Sequence, residues 1–422
     1  MKKVMLKTTL SLAVALASTQ IFAAGFAINE QSISGMGTGF AGRSSSADDA
    51  STIFGNPAGM SRIKREQVTG GAALLDAHTD ISKASSRPNG GSNDGDMVPF
   101  IAVPMGYYVK PINDQWAVGI GMYAPFGLVT DYEGGFAGRY FGSKSDVKVV
   151  TLQPTVSYAF NDKVSIGFGP TINRIDGTLE SNLSVTPLAP DGKVKIKGDD
   201  TALGFNVGVL VQATDSTRVG LTYHSKVKYK LDGNTSVDYA VLALQRQNPN
   251  QRYDASLDLT TPESVDFSVT HQLDDQWTLY AGSTWTRWSR LKEITVENSG
   301  VPAALNGQFG TITEEQNWHD TWAHAIGASY QLNKQWVLRT GLSVDQSPTN
   351  NTNRSPRIPT GDRKAISFGA GWSPTDDLTI DLAYSYLREE SVKVNDNNGR
   401  QAYSAEYQNW ASGFGIGATY RF

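Results

Sequence analysis

The chain has 422 residues, 39% apolar and 18% charged, with no cysteine and a formal net charge of −4. This composition excludes disulfide staples and thiol chemistry, and it offers no cationic footprint for nucleic acid. Mean hydropathy is negative, and no internal run approaches the roughly 20 apolar residues of a spanning helix. A membrane is not thereby excluded, because a transmembrane β-barrel gives half of its strand residues to a polar lumen.

Residues 1–23 read as a secretory leader. Lys2, Lys3 and Lys7 make its positive start, Leu10 to Ala17 its apolar run, and Ala23 precedes a cut at Ala24. The mature chain is therefore expected in the periplasm or beyond. From Ala24 to about Met60 the sequence is rich in Gly, Ser and Ala and follows neither a helical nor an alternating period. Phe26, Ile28, Ile33, Met36, Phe40, Ile53, Phe54 and Met60 nevertheless recur through it. A solvated linker has no use for that apolar series, whereas small residues let a backbone pack closely inside another structure. Asp48 and Asp49 suit the cap of a short helix better than acid–base chemistry.

Beyond this segment the turns predict an even-stranded barrel. Six short polar turns occur, at 112–114, 161–163, 215–216, 274–276, 333–334 and 374–377, with the chemistry expected between antiparallel strands. Seven longer polar stretches alternate with them, at 82–96, 131–145, 183–198, 236–253, 297–313, 347–362 and 395–403. Short turns inside and long loops outside, with both termini inside, require n/2 loops and n/2 − 1 turns; both counts give n = 14. Outward parity is legible in Leu203 to Val211, Trp336 to Val344 and Leu378 to Tyr386. Trp277, Trp336 and Trp372 lie beside inner turns, where an interfacial girdle belongs. In the last strand Phe414, Ile416, Ala418, Tyr420 and Phe422 share one face, which resembles the closing strand of bacterial outer-membrane barrels.

Ala24-Gly25-Phe26, Asn29-Glu30, Asp48-Asp49-Ala50 and Asn56-Pro57-Ala58 together resemble the start of the FadL family. These are outer-membrane transporters of long-chain fatty acids and other hydrophobic compounds. The resemblance extends over nearly the whole mature chain, including Asp345-Gln-Ser-Pro348 to Asp362-Arg363. It implies an all-β fold: a 14-stranded antiparallel transmembrane β-barrel, residues 66–422, plugged by a small N-terminal hatch, residues 24–65. The expected location is the outer membrane.

Several site residues follow. Pro125 cannot donate to a sheet ladder and Gly127 adds a weak point, so Pro125-Phe126-Gly127 marks either a strand end or a wall defect. The resemblance makes it an inward kink that opens a lateral gate to lipid. Phe136, Arg139, Tyr140 and Phe141 in one outer loop, and Val241, Leu242 and Leu244 in another, suggest an exposed capture groove, or loops that pack on themselves. Parity on the tenth strand turns His319 inward, near the position of the family's carboxylate-binding lysine. A bulge near Asn173 would send Arg174 and Asp176 inward, although the family's arginine aligns nearer Asp176. Phe26 would reach the buried site from the hatch. A hatch rearrangement around Phe26 and Asn56-Pro57-Ala58 would then open the wall.

The partners expected are a long-chain fatty acid or another hydrophobic small molecule and outer-membrane lipid, with no nucleic acid, no cofactor and a monomeric state. Five histidines show no H-E-x-x-H spacing and no G-x-S-x-G occurs, so no enzyme is expected. The alternatives are uptake of aromatic or alkane hydrocarbons, and an adhesive barrel with a filled lumen.

Overall fold

The computed structural model describes residues 25–87, 90–184, 191–238 and 250–422; the leader, Val241, Leu242 and Leu244 lie outside them. The described residues form one closed antiparallel barrel of 14 strands. In order these are β1 Gln67–Arg87, β2 Ile101–Pro111, β3 Trp116–Asp131, β4 Lys144–Ala159, β5 Val164–Leu183 and β6 Gly192–Gln212. Four strands then run in two pieces: β7 (Thr217–His224, Val227–Asp238), β8 (Asn250–Thr261, Ser264–Gln272), β9 (Trp277–Thr286, Glu293–Ser299) and β10 (Thr311–Glu315, Thr321–Gln331). The circuit ends with β11 Trp336–Asp345, β12 Arg363–Trp372, β13 (Leu378–Glu389, Val392–Asn397) and β14 Ala402–Arg421. β14 pairs with β1 from Gln67–Arg421 onward, which removes the free edge that a terminal apolar strand would otherwise present. Phe414, Ile416, Tyr420 and Phe422 face outward as their parity requires.

The six short turns fall where the sequence places them, and Trp116, Trp277, Trp336 and Trp372 are exposed beside them as a girdle. Most outer loops are shorter than expected because the strands continue into them; the loop at 346–362 keeps its expected length. β5 has 20 residues, roughly 66 Å at about 3.3 Å per residue, against an apolar band roughly 25 Å tall. Its outward face changes accordingly, from Ile166 and Phe168 to Arg174 and Asp176. The upper halves of these strands form a collar above the membrane.

Residues 25–66 pack inside the barrel as two short helices, α1 Ile33–Gly37 and α2 Thr52–Gly55, followed by a 3-10 turn at Pro57–Arg62. Asp49 accepts the Ser51 N–H at 2.8 Å, just ahead of α2. The fit against the wall depends on inward-facing glycines. Ile33 and Met36 lie over Gly417, Gly415 and Gly413 of β14, and Gly37 over Gly369 of β12. Thr38 lies over Gly341 and Gly327 of β11 and β10, Ala41 over Gly282 of β9, and Ser44 over Gly220 of β7. Asn56 and Pro57 complete the circuit over Gly208 of β6 and Gly167 of β5. At Gly220, Gly341, Gly208 and Gly167 a Cβ would overlap hatch atoms outright. The hatch thus runs around the lumen in van der Waals contact with most of the wall, a density it shares with a protein core.

Gly220→Val and Gly341→Val should each unseat the hatch without opening the barrel. The expected signs are faster proteolysis of residues 25–66 and a higher single-channel conductance, with the heat-modifiable gel mobility of a folded barrel retained.

Candidate functional site

β3 leaves its neighbour half-way along its length. The β2–β3 ladder ends at Gly106–Met122, although β2 begins at Ile101 and β3 continues to Asp131. The β3–β4 register slips between Tyr123 and Phe126, around Pro125. The wall closes again where Asp131 N donates to Met97 O at 2.7 Å. Between these points the β3 edge belongs to the hatch. Ile28 N donates to Pro125 O and Gly127 N to Phe26 O, each at 2.8 Å, with Ala27 bridging Phe126. The buried Gln31 side chain adds a substitute strand residue: Nε2 donates to Ala124 O at 2.6 Å, and Oε1 accepts from Ala124 N at 3.3 Å. Peptide groups cannot face hydrocarbon unpaired, so these contacts make the inward kink tolerable.

Phe26 is held in an aromatic cluster, with ring centroids 5.0 Å from Trp288, 5.6 Å from Phe126 and 6.1 Å from Trp318. Above it opens an apolar cavity lined by Phe26, Leu128, Val147, Ile175, Leu231, Leu257, Leu259, Leu291, Ile294, Val296 and Ile358. The lining suits a hydrophobic small molecule. The polar residues of the lining are Lys197, Ser256, Glu314, Gln316 and Arg357. Arg357 and Ile358 come from the loop after β11, which folds inward. That loop is strapped by the buried Glu389 carboxylate, which accepts from Arg363 Nε at 2.8 Å, Thr360 Oγ1 at 2.9 Å and Asn409 Nδ2 at 2.7 Å. The buried Arg357 guanidinium donates to Glu314 Oε2 at 3.1 Å, Lys144 O at 2.9 Å and Ser145 Oγ at 3.2 Å. Asp396 lies close enough to feel both charges. Burial, reinforced by Glu314 and only partly opposed by Arg357, pushes its carboxyl up to about 7.

Residues 14–422 match the family model described as "Outer membrane protein transport protein (OMPP1/FadL/TodX)". The chain belongs to the FadL family. Along its whole length it is 30% identical to the long-chain fatty acid transport protein of Escherichia coli O6:H1, covering 99% of that protein. It is 29% identical to outer membrane protein P1 of Haemophilus influenzae, over 92% of this chain and 90% of that one. A Pseudomonas aeruginosa FadL homologue superposes with a TM-score of 0.83 at 27% identity, over 94% of this chain and 100% of the homologue. The Ralstonia pickettii toluene transporter shares the fold, with a TM-score of 0.66 at 19% identity over 88% of this chain and 94% of that one. The protein is an outer-membrane transporter of hydrophobic compounds.

Against this FadL-family frame, Phe26 lines the cavity, and Pro125, Phe126 and Gly127 lie in the kink. Asn56, Pro57 and Ala58 anchor the hatch: Asn56 Nδ2 donates to Ser44 O at 2.7 Å and Val209 O at 3.0 Å, and Ser165 Oγ donates to Ala58 O at 3.0 Å. Arg174 does not face the lumen. The β5–β6 register runs unbroken from Val164 to Leu183, so the expected bulge at Asn173 is absent. Ile175 takes the cavity face, and Arg174 pairs outside with Asp176 and Asp199, at 3.2 and 2.7 Å. His319 is exposed, because β10 is interrupted before Thr321 and strand parity does not carry across the break; Trp318 is the residue turned inward.

Phe136, Arg139 and Tyr140 do not form an exposed groove. Phe136 is fully buried and stacks on Tyr132 at 3.8 Å, while Arg139 and Tyr140 converge on Asp191 at 2.6 and 3.0 Å. The loop packs on itself. Sequence reasoning missed Arg357, Glu314 and Gln31. Arg357 lies within the family-like stretch 345–363 but was counted as loop, and a lumen search confined to strands passes over it.

Asp396 generates a pH prediction. Its proton leaves as pH rises through about 7, placing a second negative charge beside Glu314 and weakening attraction of an anionic ligand to Arg357. Oleate affinity should therefore fall between about pH 6 and 8, and Asp396→Asn should flatten that fall in a fluorescence titration.

Proposed function

We propose that the protein takes up long-chain fatty acids and releases them sideways into the membrane. The observation that carries this reading is the pairing of an apolar cavity, edged by the Arg357 guanidinium, with a hatch segment that both floors the cavity and seals the wall. The alkyl chain takes the apolar lining, and its carboxylate exchanges with Glu314 for Arg357. A ligand pressing on Phe26 displaces residues 26–31, which form the temporary edge of β3. Their departure opens the gap between β2 and β3, and the ligand leaves through it.

The magnitudes permit this without an energy source. Detaching the segment frees peptide groups of β3, each costing about 1 kcal/mol where water replaces the bond and several kcal/mol where hydrocarbon faces it, and forfeits the burial of Phe26 at about 2–3 kcal/mol. Burying a long alkyl chain yields about 0.8 kcal/mol per methylene, enough to offset a release in which lumen water takes up the freed groups. The ligand shifts the equilibrium only by what it gains in the open state over the closed one, and a long chain has the larger reserve. An exit to the periplasm would instead require breaking the close fit against the glycines. The relatives' descriptions as long-chain fatty acid transport proteins support the same substrate class.

A second reading has its own observation. Glu314 already neutralises Arg357, which suits a neutral aromatic or alkane hydrocarbon. An adhesive role fits poorly, since a filled lumen would serve it better than an enclosed apolar slot.

Arg357→Met should weaken oleate binding about 10- to 100-fold, the range for a charge-assisted hydrogen bond, and change oleyl alcohol binding less than about threefold. Equal loss of both ligands, or none, would favour the hydrocarbon reading. Replacing Pro125-Phe126-Gly127 with Val-Thr-Val should restore the β2–β3 ladder. Oleate should still bind to that variant but cease to reach the bilayer of proteoliposomes; wild-type uptake would sink the lateral exit.

A further inference from the structure

Below the Phe26–Ala27 segment lies a second cavity, bordered by Tyr123, Pro125 and Phe126 of the kinked strand. Its character differs from that of the upper slot. Asn29, Arg43, Thr151, Thr171, Asn173, Asn206, His224 and Asp266 bring polar groups to it. Transport of an apolar molecule needs none of them.

Arg43 stands apart from the other buried or half-buried arginines of the lumen. Arg339 is paired with Asp381 at 2.6 Å, Arg357 with Glu314 at 3.1 Å and Arg363 with Glu389 at 2.8 Å. Arg218 spends its donors on the carbonyls of Ser45 and Ser46. Among the described residues, Arg43 has no carboxylate within ion-pair distance; Nη2 donates to Asn29 Oδ1 at 2.8 Å. The guanidinium is held by aromatic rings, 5.3 Å from the Phe40 centroid and 5.9 Å from that of Phe54. Contact with ring faces positions a guanidinium while leaving its in-plane N–H donors available. His224 packs 5.1 Å from the same Phe54 ring and faces the same cavity, offering one ring N–H in either neutral tautomer. Asp266, the acid on this cavity, is engaged elsewhere: Oδ1 accepts from Ser44 Oγ, and Oδ2 from Thr284 Oγ1 at 2.5 Å.

We propose that Arg43, with Asn29 and His224, is a second station that binds the carboxylate of an amphiphile after it has passed Phe26 and before it leaves through the wall. Among the described residues Arg43 is half-buried and in no ion pair, with only the Glu30 carboxyl near enough to feel its charge, so a ligand carboxylate would complete its pairing. Two cationic stations, Arg357 above and Arg43 below, let the head group cross the aromatic constriction without being stranded in an apolar slot. Pro125 and Tyr123 border the lower station, so a head group held there leaves the tail beside the gap. This inference rests on the fatty-acid reading.

The test compares oleate with oleyl alcohol in proteoliposomes, together with oleate affinity in detergent. Arg43→Gln should remove a second, weaker oleate-binding step from the detergent titration and keep the step that Arg357→Met weakens. It should slow oleate delivery to the bilayer about 10-fold or more, the range for a lost charge-assisted hydrogen bond, and leave oleyl alcohol delivery within about twofold. Arg43→Lys should restore much of the loss. His224→Phe keeps the ring packing and removes the N–H, and should produce a smaller loss confined to oleate; it tests the station even if the Arg43 variant fails to seat its hatch. Unchanged oleate delivery in both variants, or equal loss of acid and alcohol, overturns the second station and leaves the transport reading standing. Failure of the wild-type protein to deliver oleate overturns both.

Discussion

β3 parts from β2 after Met122, inside a membrane whose hydrocarbon cannot solvate a peptide group. The amide of Gly127 and the carbonyls of Ala124 and Pro125 must therefore find partners within the protein. Phe26, Ile28 and Gln31 supply them. A wall gap in a β-barrel is tolerable only with such a surrogate edge, and here the surrogate belongs to the segment that carries Phe26 under the ligand cavity. In the proposed mechanism, ligand contact and wall integrity are coupled through about six residues of chain. No long-range relay is needed.

The rest of the hatch does the opposite. From Ile33 to Pro57 it follows the wall from β14 around to β5, and its backbone occupies the volume where side chains of ordinary strand residues would be. Packing of that kind resists small displacements and makes wholesale expulsion costly. In the proposed mechanism the hatch divides into a fixed belt and a short releasable edge. Asn56-Pro57-Ala58, tied to β5 and β6, belongs to the fixed belt. This division favours sideways release over passage to the periplasm, because the releasable edge faces the membrane gap.

The barrel was legible because alternation and turn chemistry are local. Parity in β6, β11, β13 and β14, and the six inner turns, needed nothing from the tertiary structure. The hatch and the Pro125 kink were legible through resemblance. The residues that line the cavity were not, for reasons that differ residue by residue. Arg174 was assigned inward by a bulge that the β5–β6 ladder does not contain, and the next residue, Ile175, takes the cavity. His319 inherited a parity that ends where β10 breaks, so Trp318 turns inward instead. Phe136 looked like an exposed loop aromatic because sequence cannot show Tyr132 and Tyr403 enclosing it. Arg357 reaches the cavity through an inward-folded loop whose path is set by Glu389, some thirty residues away in sequence. The glycines under the hatch were visible as composition, but their purpose emerges only when Ser44, Thr38 and Asn56 are seen lying over them.

The central claim is that ligand binding releases residues 26–31 from β3 while the remainder of the hatch stays seated. Amide hydrogen exchange, followed peptide by peptide with and without oleate, tests it most directly. The account predicts that oleate speeds exchange at Ile28 and Gly127, whose amides bond across the hatch–β3 seam, and leaves Gly39, Asn56 and Gly59 as protected as in the free protein. Loss of protection across the whole of residues 25–62, or no change at Ile28 and Gly127 under saturating oleate, would contradict it.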